Sequence, residues 1–175
     1  SILAALRAGQ IDFAQLNDPL VATLLDGDSA VQLHRTPLLA YHVLQLRAER
    51  TPLDILEVRQ AISCAIDRQE VLDAASLGEG TVTGPVTSPA FALPNDELFC
   101  YSKDLDRARE LMAQAGMEEG FTLPMMAANA EPPTALSEAQ SIQSQLAEIN
   151  ITVEIESLEL GVYVDRWLAG DFDSA

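Results

Sequence analysis

The sequence predicts an α/β fold, a mixed sheet flanked by helices, and three observations in its last third carry that reading. Phe121, Leu123 and Met125 alternate with other residues, as on a strand with one buried face. Leu136, Ala139, Ile142, Leu146 and Ile149 then recur at helical spacing, and Ile151, Val153 and Ile155 alternate again with Thr152, Glu154 and Glu156 between them. Strand, helix and strand joined by turns this short form a βαβ unit. Its two strands are expected to run parallel with a right-handed crossover.

From the start, the chain reads helix, strand, helix, strand. Leu3 and Leu6 lead to Gly9 as a helix stop, and Ile11 to Ala14 alternates. Asp18-Pro19 opens a second helix with proline at its first position, ending at Asp26-Gly27. Ala30 to Arg35 is expected to be a strand. After the break at Pro37, Leu38 to Arg47 is apolar enough for a buried one.

Asp54 and Glu57 have capping-box spacing, as do Asp67 and Glu70. Between them Val58, Ile62, Ala65 and Ile66 form one apolar face. The spacing predicts a helix, a tight break at Asp67, and a second helix running to Leu77-Gly78. Residues 78–102 hold Pro85, Pro89 and Pro94 with Gly78, Gly80 and Gly84, so they read as a long loop. Ser102 is placed to cap a helix from Lys103 to Ala115, stopped by Gly116. Asn150 suits a left-handed helix end. A short helix from Val162 to Ala169 is stopped by Gly170, and Phe172 begins a further strand, with Trp167 expected to pack that helix onto the sheet.

Composition narrows the function. The 175 residues carry ten Lys and Arg against 27 Asp and Glu, a net charge of −17. Nucleic acid and anionic membrane surfaces are poor partners for such a surface, which lacks the basic footprint that displaces phosphate counterions. No apolar run approaches the roughly 20 residues that span a bilayer, so no membrane insertion is expected. Cys64 and Cys100 match no metal or redox motif. Cys64 reads as a small buried hydrophobe; an oxidising compartment would permit a bridge between the two, which stays open. No phosphate loop, nucleophile elbow or zinc-protease motif is present. His34 and His42 read as ordinary histidines. No catalytic residue, metal ligand or cofactor is therefore expected.

One stretch carries more than a helix pattern. V-R-Q-A-I-S-C-A-I-D-R from Val58 to Arg68, followed by E-V-L, resembles the signature region of family 5 extracytoplasmic solute-binding proteins of peptide-type ABC importers. L-R-A-G-Q-I-D-F-A from Leu6, G-E-G-T from Gly78, R-A-R-E-L-M-A-Q-A-G from Arg107, G-F-T-L from Gly120 and G-D-F-D from Gly170 agree in order. Where the family has an aromatic-Asn pair at a strand end, this chain has Leu46-Arg47.

The resemblance implies a lobe of the periplasmic-binding-protein type II fold. Residues 1–37 would be the tail of a first lobe and 38–175 a second lobe, truncated at its carboxyl end. It implies capture of a small solute, most simply an oligopeptide or dipeptide, in an interlobe cleft by a monomer outside the cytoplasm, periplasmic or anchored as a lipoprotein. Delivery would be to an ABC permease, without enzymatic chemistry. The implied ligand-binding residues are Asn129, at the end of the strand from Phe121, with Thr83 and Tyr41. A small α/β hydrolase or transferase, or a solute sensor of the same fold, are the alternatives.

Overall fold

The computed structural model describes residues 2–36, 40–83, 100 and 102–175. Its centre is a parallel pair, β1 (Phe121–Ala128) and β2 (Ile151–Leu158), in register from Phe121 opposite Ile151 to Ala128 opposite Leu158. Helix α6 (Ala135–Leu146) and a 3₁₀ turn (Ala147–Ile149) make the crossover. The predicted βαβ unit is therefore present with its predicted pairing. Its strands start side by side, with Gly120 at φ 76° against the carbonyl of Asn150, itself left-handed at φ 64°. A Cβ at position 120 would fall on that carbonyl.

Two single-residue bridges widen the sheet. Ser174 lies parallel to Met125 on the free side of β1, and Leu46 lies antiparallel to Ser174 beyond it. Pro124 has no N–H to offer on that side; its carbonyl instead accepts from Ser174 N (3.2 Å) and Ser174 Oγ (2.8 Å). Pairing starts there and continues with Met126 N donating to Ser174 O at 3.0 Å. The expected strand after Phe172 and the expected strand 38–47 are thus each reduced to one bridging residue, Ser174 and Leu46; Leu38 and Leu39 lie outside the described residues.

The helical layer holds α3 (Leu56–Ala65), α4 (Arg68–Ser76) and α5 (Leu105–Gln114). Val58, Ala61, Ile62 and Ala65 of α3 meet Ala108, Leu111 and Met112 of α5 in one core with Leu123, Leu146 and Ile151. Each large side chain buried this completely contributes about 1.5–3 kcal/mol before the cost of ordering it.

Two caps differ from expectation. Asp54 accepts from Thr51 Oγ1 (3.2 Å), and Ile55 precedes α3 at the cap position without a side-chain cap bond. Asp104, not Ser102, caps α5 by accepting from Arg107 N at 2.9 Å. Asp67 caps α4 as predicted, accepting from Gln69 N (2.9 Å) and Glu70 N (3.1 Å).

Cys64 is not a free thiol: it forms a disulfide with Cys100, their Cα atoms 4.8 Å apart. The bond fastens the return of the long loop to α3. Arg68 reinforces it, donating to the carbonyls of Ser63 (3.3 Å), Ile66 (3.2 Å) and Cys100 (3.0 Å). The rest of that loop lies largely outside the described residues.

The first 36 residues behave differently. Only α1 (Ile2–Arg7) and α2 (Pro19–Thr23) form; 11–14 and 30–35 are not strands, because no neighbouring strand pairs with them among the described residues. Phe13 is 85% exposed, and of this stretch only Leu25 is fully buried. Ion pairs hold it together, Arg7 with Asp28 at 2.7 Å and Arg35 with both Asp26 (2.7 Å) and Glu79 (3.0 Å).

Candidate functional site at the carboxyl edge of the sheet

Open α/β sheets leave a free margin where parallel strands end and the following helices begin, because backbone groups and helix amino termini converge there. Here β1 and β2 end level. Asn129 N donates to Leu158 O at 2.8 Å, adding one rung beyond the regular pairing. The Asn129 side chain is exposed and makes no hydrogen bond to a described residue, so both amide donors and its acceptor face outward unspent. The first turn of α6 opens on this margin. So does α7 (Leu160–Ala169), whose cap Glu159 accepts from Gly161 N at 3.0 Å.

The segment before Leu46 reaches the same margin. Residues 173–175 run parallel to β1, and residues 45–47 run antiparallel to them, Arg47 N bonding Asp173 O and Gln45 exchanging bonds with Ala175. Chain numbers therefore fall toward the carboxyl edge, which carries Tyr41 and His42 past the strand ends. His42 confirms the direction. Its Nδ1 lies 2.7 Å from Oε1 of Glu138 in the first turn of α6. The hydrogen bond to Glu138 raises the His42 pKa above its ordinary 6.5 against the opposing effect of burial. Burial pushes the Glu138 carboxyl up, but contact with His42 and the nearby Thr134 hydroxyl outweigh it, so the net direction is down. Thr134 Oγ1 is itself buried and makes no hydrogen bond of good geometry.

Of the three residues that the sequence nominates, the structure brings Asn129 and Tyr41 to one edge. Tyr41 is 57% exposed. Thr83 is half-buried, and no hydrogen bond connects it to either of the others. The sequence marks His42 only as an ordinary histidine and does not single out Glu138. They lie 96 residues apart, and no local pattern announces a pair at that distance. Trp167 also departs from expectation. It is 41% exposed, α7 buries no residue, and the indole Nε1 donates to Gln45 Oε1 at 2.6 Å. It braces the outer segment by a hydrogen bond instead of packing into the core.

Leu46-Arg47 leave their own mark. The Arg47 guanidinium stands over the Phe172 ring, 5.5 Å from its centroid, and lies 3.3 Å from Glu49. It also fills the space beside Gly170, which ends α7 at φ 68°.

The opposite, amino edge holds a depression of about 220 Å³ lined by Arg109, Met112, Glu118, Glu148, Ile149 and Asn150. Lys103 and Glu148 pair across that end at 2.6 Å. These groups precede the strands and are matched in charge; the exposed Glu118 carboxylate makes no hydrogen bond to a described residue, but the margin where helix amino termini converge lies at the other end. Among the described residues no cluster of three or more His, Cys, Asp or Glu is placed to hold a metal, and no helix is long and apolar enough to cross a membrane.

The family described as bacterial extracellular solute-binding proteins, family 5 Middle, matches residues 1–175. The dipeptide-binding protein of Escherichia coli K12 is 26% identical over 171 residues, covering 96% of this chain and 32% of the relative. The heme-binding protein A of Haemophilus influenzae is 27% identical over 173 residues, covering 96% and 31%. The solved structure of HbpA2 from Haemophilus parasuis superposes with a TM-score of 0.74 at 28% identity, over 98% of this chain and 34% of that one. The fold is accordingly that of type II periplasmic binding proteins. The chain spans about a third of the length of these relatives, and it belongs to the family 5 bacterial extracellular solute-binding proteins.

Proposed function

We propose that this chain supplies one wall of an interlobe cleft that captures a small solute, a dipeptide or oligopeptide, at the carboxyl edge of its sheet. Residues 38–175 form the second lobe in this reading, and residues 1–37 come from the first. The single observation that carries it is the free amide of Asn129, one rung past the β1–β2 ladder. An extended peptide presents alternating N–H and C=O groups, and an amide held at a strand end can answer both. Tyr41 flanks the same opening, and Thr83 is assigned to the wall by the family resemblance alone.

The receptor acts outside the cytoplasm, as a monomer, and hands its solute to an ABC permease after the two lobes close by a hinge motion. No bond is made or broken, and no cofactor takes part. The dipeptide-binding relative supports a peptide; the heme-binding relative shows that the family's fold also serves another ligand.

Thermal unfolding of the full-length protein with dipeptides, longer peptides and haem tests the reading. A peptide at a hundred times its dissociation constant raises stability by about 2.7 kcal/mol. Asn129→Ala is expected to cut that shift while leaving the unliganded midpoint in place. A shift with haem alone overturns the peptide assignment; an Asn129→Ala variant that binds peptide as wild type does overturns the site.

A further inference from the structure

The outer segment of the sheet is held in two different ways along its length. Gln45 exchanges both backbone hydrogen bonds with Ala175, at 2.8 and 3.1 Å, and Arg47 N donates to Asp173 O at 2.9 Å. Leu44 and Leu46 pack against the core. Further toward the carboxyl edge this support stops. Residues 40–44 make no backbone hydrogen bond to a described residue, and Tyr41 and Val43 are 57% and 45% exposed. Among the described residues a single polar contact joins this half to the rest of the structure, the 2.7 Å approach of His42 Nδ1 to Glu138 Oε1.

We propose that His42 and Glu138 form a pH-dependent clasp that positions residues 40–43 over the carboxyl edge of the sheet. The partners suit the task. Glu138 sits in the first turn of α6, where the positive end of the helix dipole favours a carboxylate. It is the charged group that faces His42 from α6. Tyr41 is the other titratable side chain of residues 40–44, and among the described residues no further charged group acts on the imidazole. The Glu138 carboxylate meets His42 and the Thr134 hydroxyl. A bond between imidazolium and carboxylate is roughly twice as strong as the neutral form.

The direction of the response follows from the two shifts. The His42 pKa is raised on folding, so its share of the clasp is complete below the ordinary 6.5 and is lost as pH rises through the raised value. The Glu138 pKa is lowered, so its share is complete above the ordinary 4.5 and is lost as pH falls through the lowered value. The clasp is therefore tightest between these two ordinary values. From neutrality it loosens toward alkaline pH and tightens on mild acidification. This holds whether or not the edge takes a peptide, so the proposal can fail without the solute reading failing, and the reverse.

The test is made on the full-length protein without solute. Imidazole NMR titration, with His42 assigned by its loss in His42→Gln, should place the His42 midpoint above 6.5, and Glu138→Gln should bring it down. Backbone order over residues 40–44, read as amide NMR relaxation order parameters, should be higher at about pH 6 than at about pH 9. His42→Ala and Glu138→Gln should lower it at the lower pH while hydrogen exchange keeps β1 and β2 protected, which shows that the variants fold. His42→Gln keeps an uncharged donor and should give intermediate order that does not change with pH. An unmoved His42 midpoint in Glu138→Gln overturns the clasp. So do order parameters over 40–44 that are the same in wild type and Glu138→Gln.

Discussion

The joint between α3 and α4 and the carboxyl edge of the sheet are built from opposite materials. At the joint nearly everything is buried and doubly secured. Val58, Ala61, Ile62 and Ala65 are shut into the core. The break at Asp67 is gripped by Gln145, whose Oε1 accepts from Asp67 N at 2.5 Å and whose Nε2 donates to Asp67 O at 3.3 Å. Arg59 closes the front of the joint by donating to Leu53 O at 2.6 Å, and Arg68 and the disulfide close the back. At the carboxyl edge Asn129, Tyr41 and Val43 stand exposed, and residues 40–44 meet the described rest of the protein in one polar contact, His42 with Glu138. The stretch that carries the family resemblance is thus the frame of this fold, while the proposed binding margin lies elsewhere. A signature in sequence can mark what must not move as readily as what touches a ligand.

The contrast can be broken or sharpened by experiment. Reducing the disulfide frees a 36-residue separation between Cys64 and Cys100. On chain-entropy grounds that costs about 3–4 kcal/mol, read as a lower denaturant midpoint with dithiothreitol present. Removing the clamp with Gln145→Ala unpairs the half-buried N–H and C=O of Asp67 and opens space at a fully buried side chain, costing about 2 kcal/mol in the same assay. Asn129→Ala sits at the other extreme. It should change stability by less than about 0.5 kcal/mol, because an exposed side chain without a hydrogen bond leaves nothing buried unpaired. If Asn129→Ala proved as damaging as Gln145→Ala, the division between frame and margin would collapse.

Legibility in the sequence followed the range of the interactions. The βαβ unit was readable because hydrophobic period is local: Leu136 to Leu146 repeat within one helix, Ile149 follows in the turn that continues it, and the flanking strands alternate by themselves. The Asp67 cap and the left-handed Asn150 were readable for the same reason. Alternation at 11–14 and 30–35 misled because a strand needs a partner, and no described strand lies beside them. Asp54 was a plausible cap until Thr51, three residues away, engaged it. At the site, Asn129 could be placed from the end of a predicted strand. His42 with Glu138, and Trp167 with Gln45 across 122 residues, depend on the finished tertiary structure, which no window of sequence displays.

The turn after α7 shows how far one residue choice can propagate. Gly170 needs its left-handed φ, and the guanidinium of Arg47 occupies the volume where any Cβ would go. Those atoms are the tip of a flexible side chain and can swing aside, so a side chain at 170 is opposed first by that φ and then by the displacement of Arg47 from its place over Phe172. Asn would be the first admissible newcomer because it tolerates that φ best. Any covariation between these positions, 123 residues apart (170 − 47), would be the historical record of a contact that folding makes and the linear chain conceals.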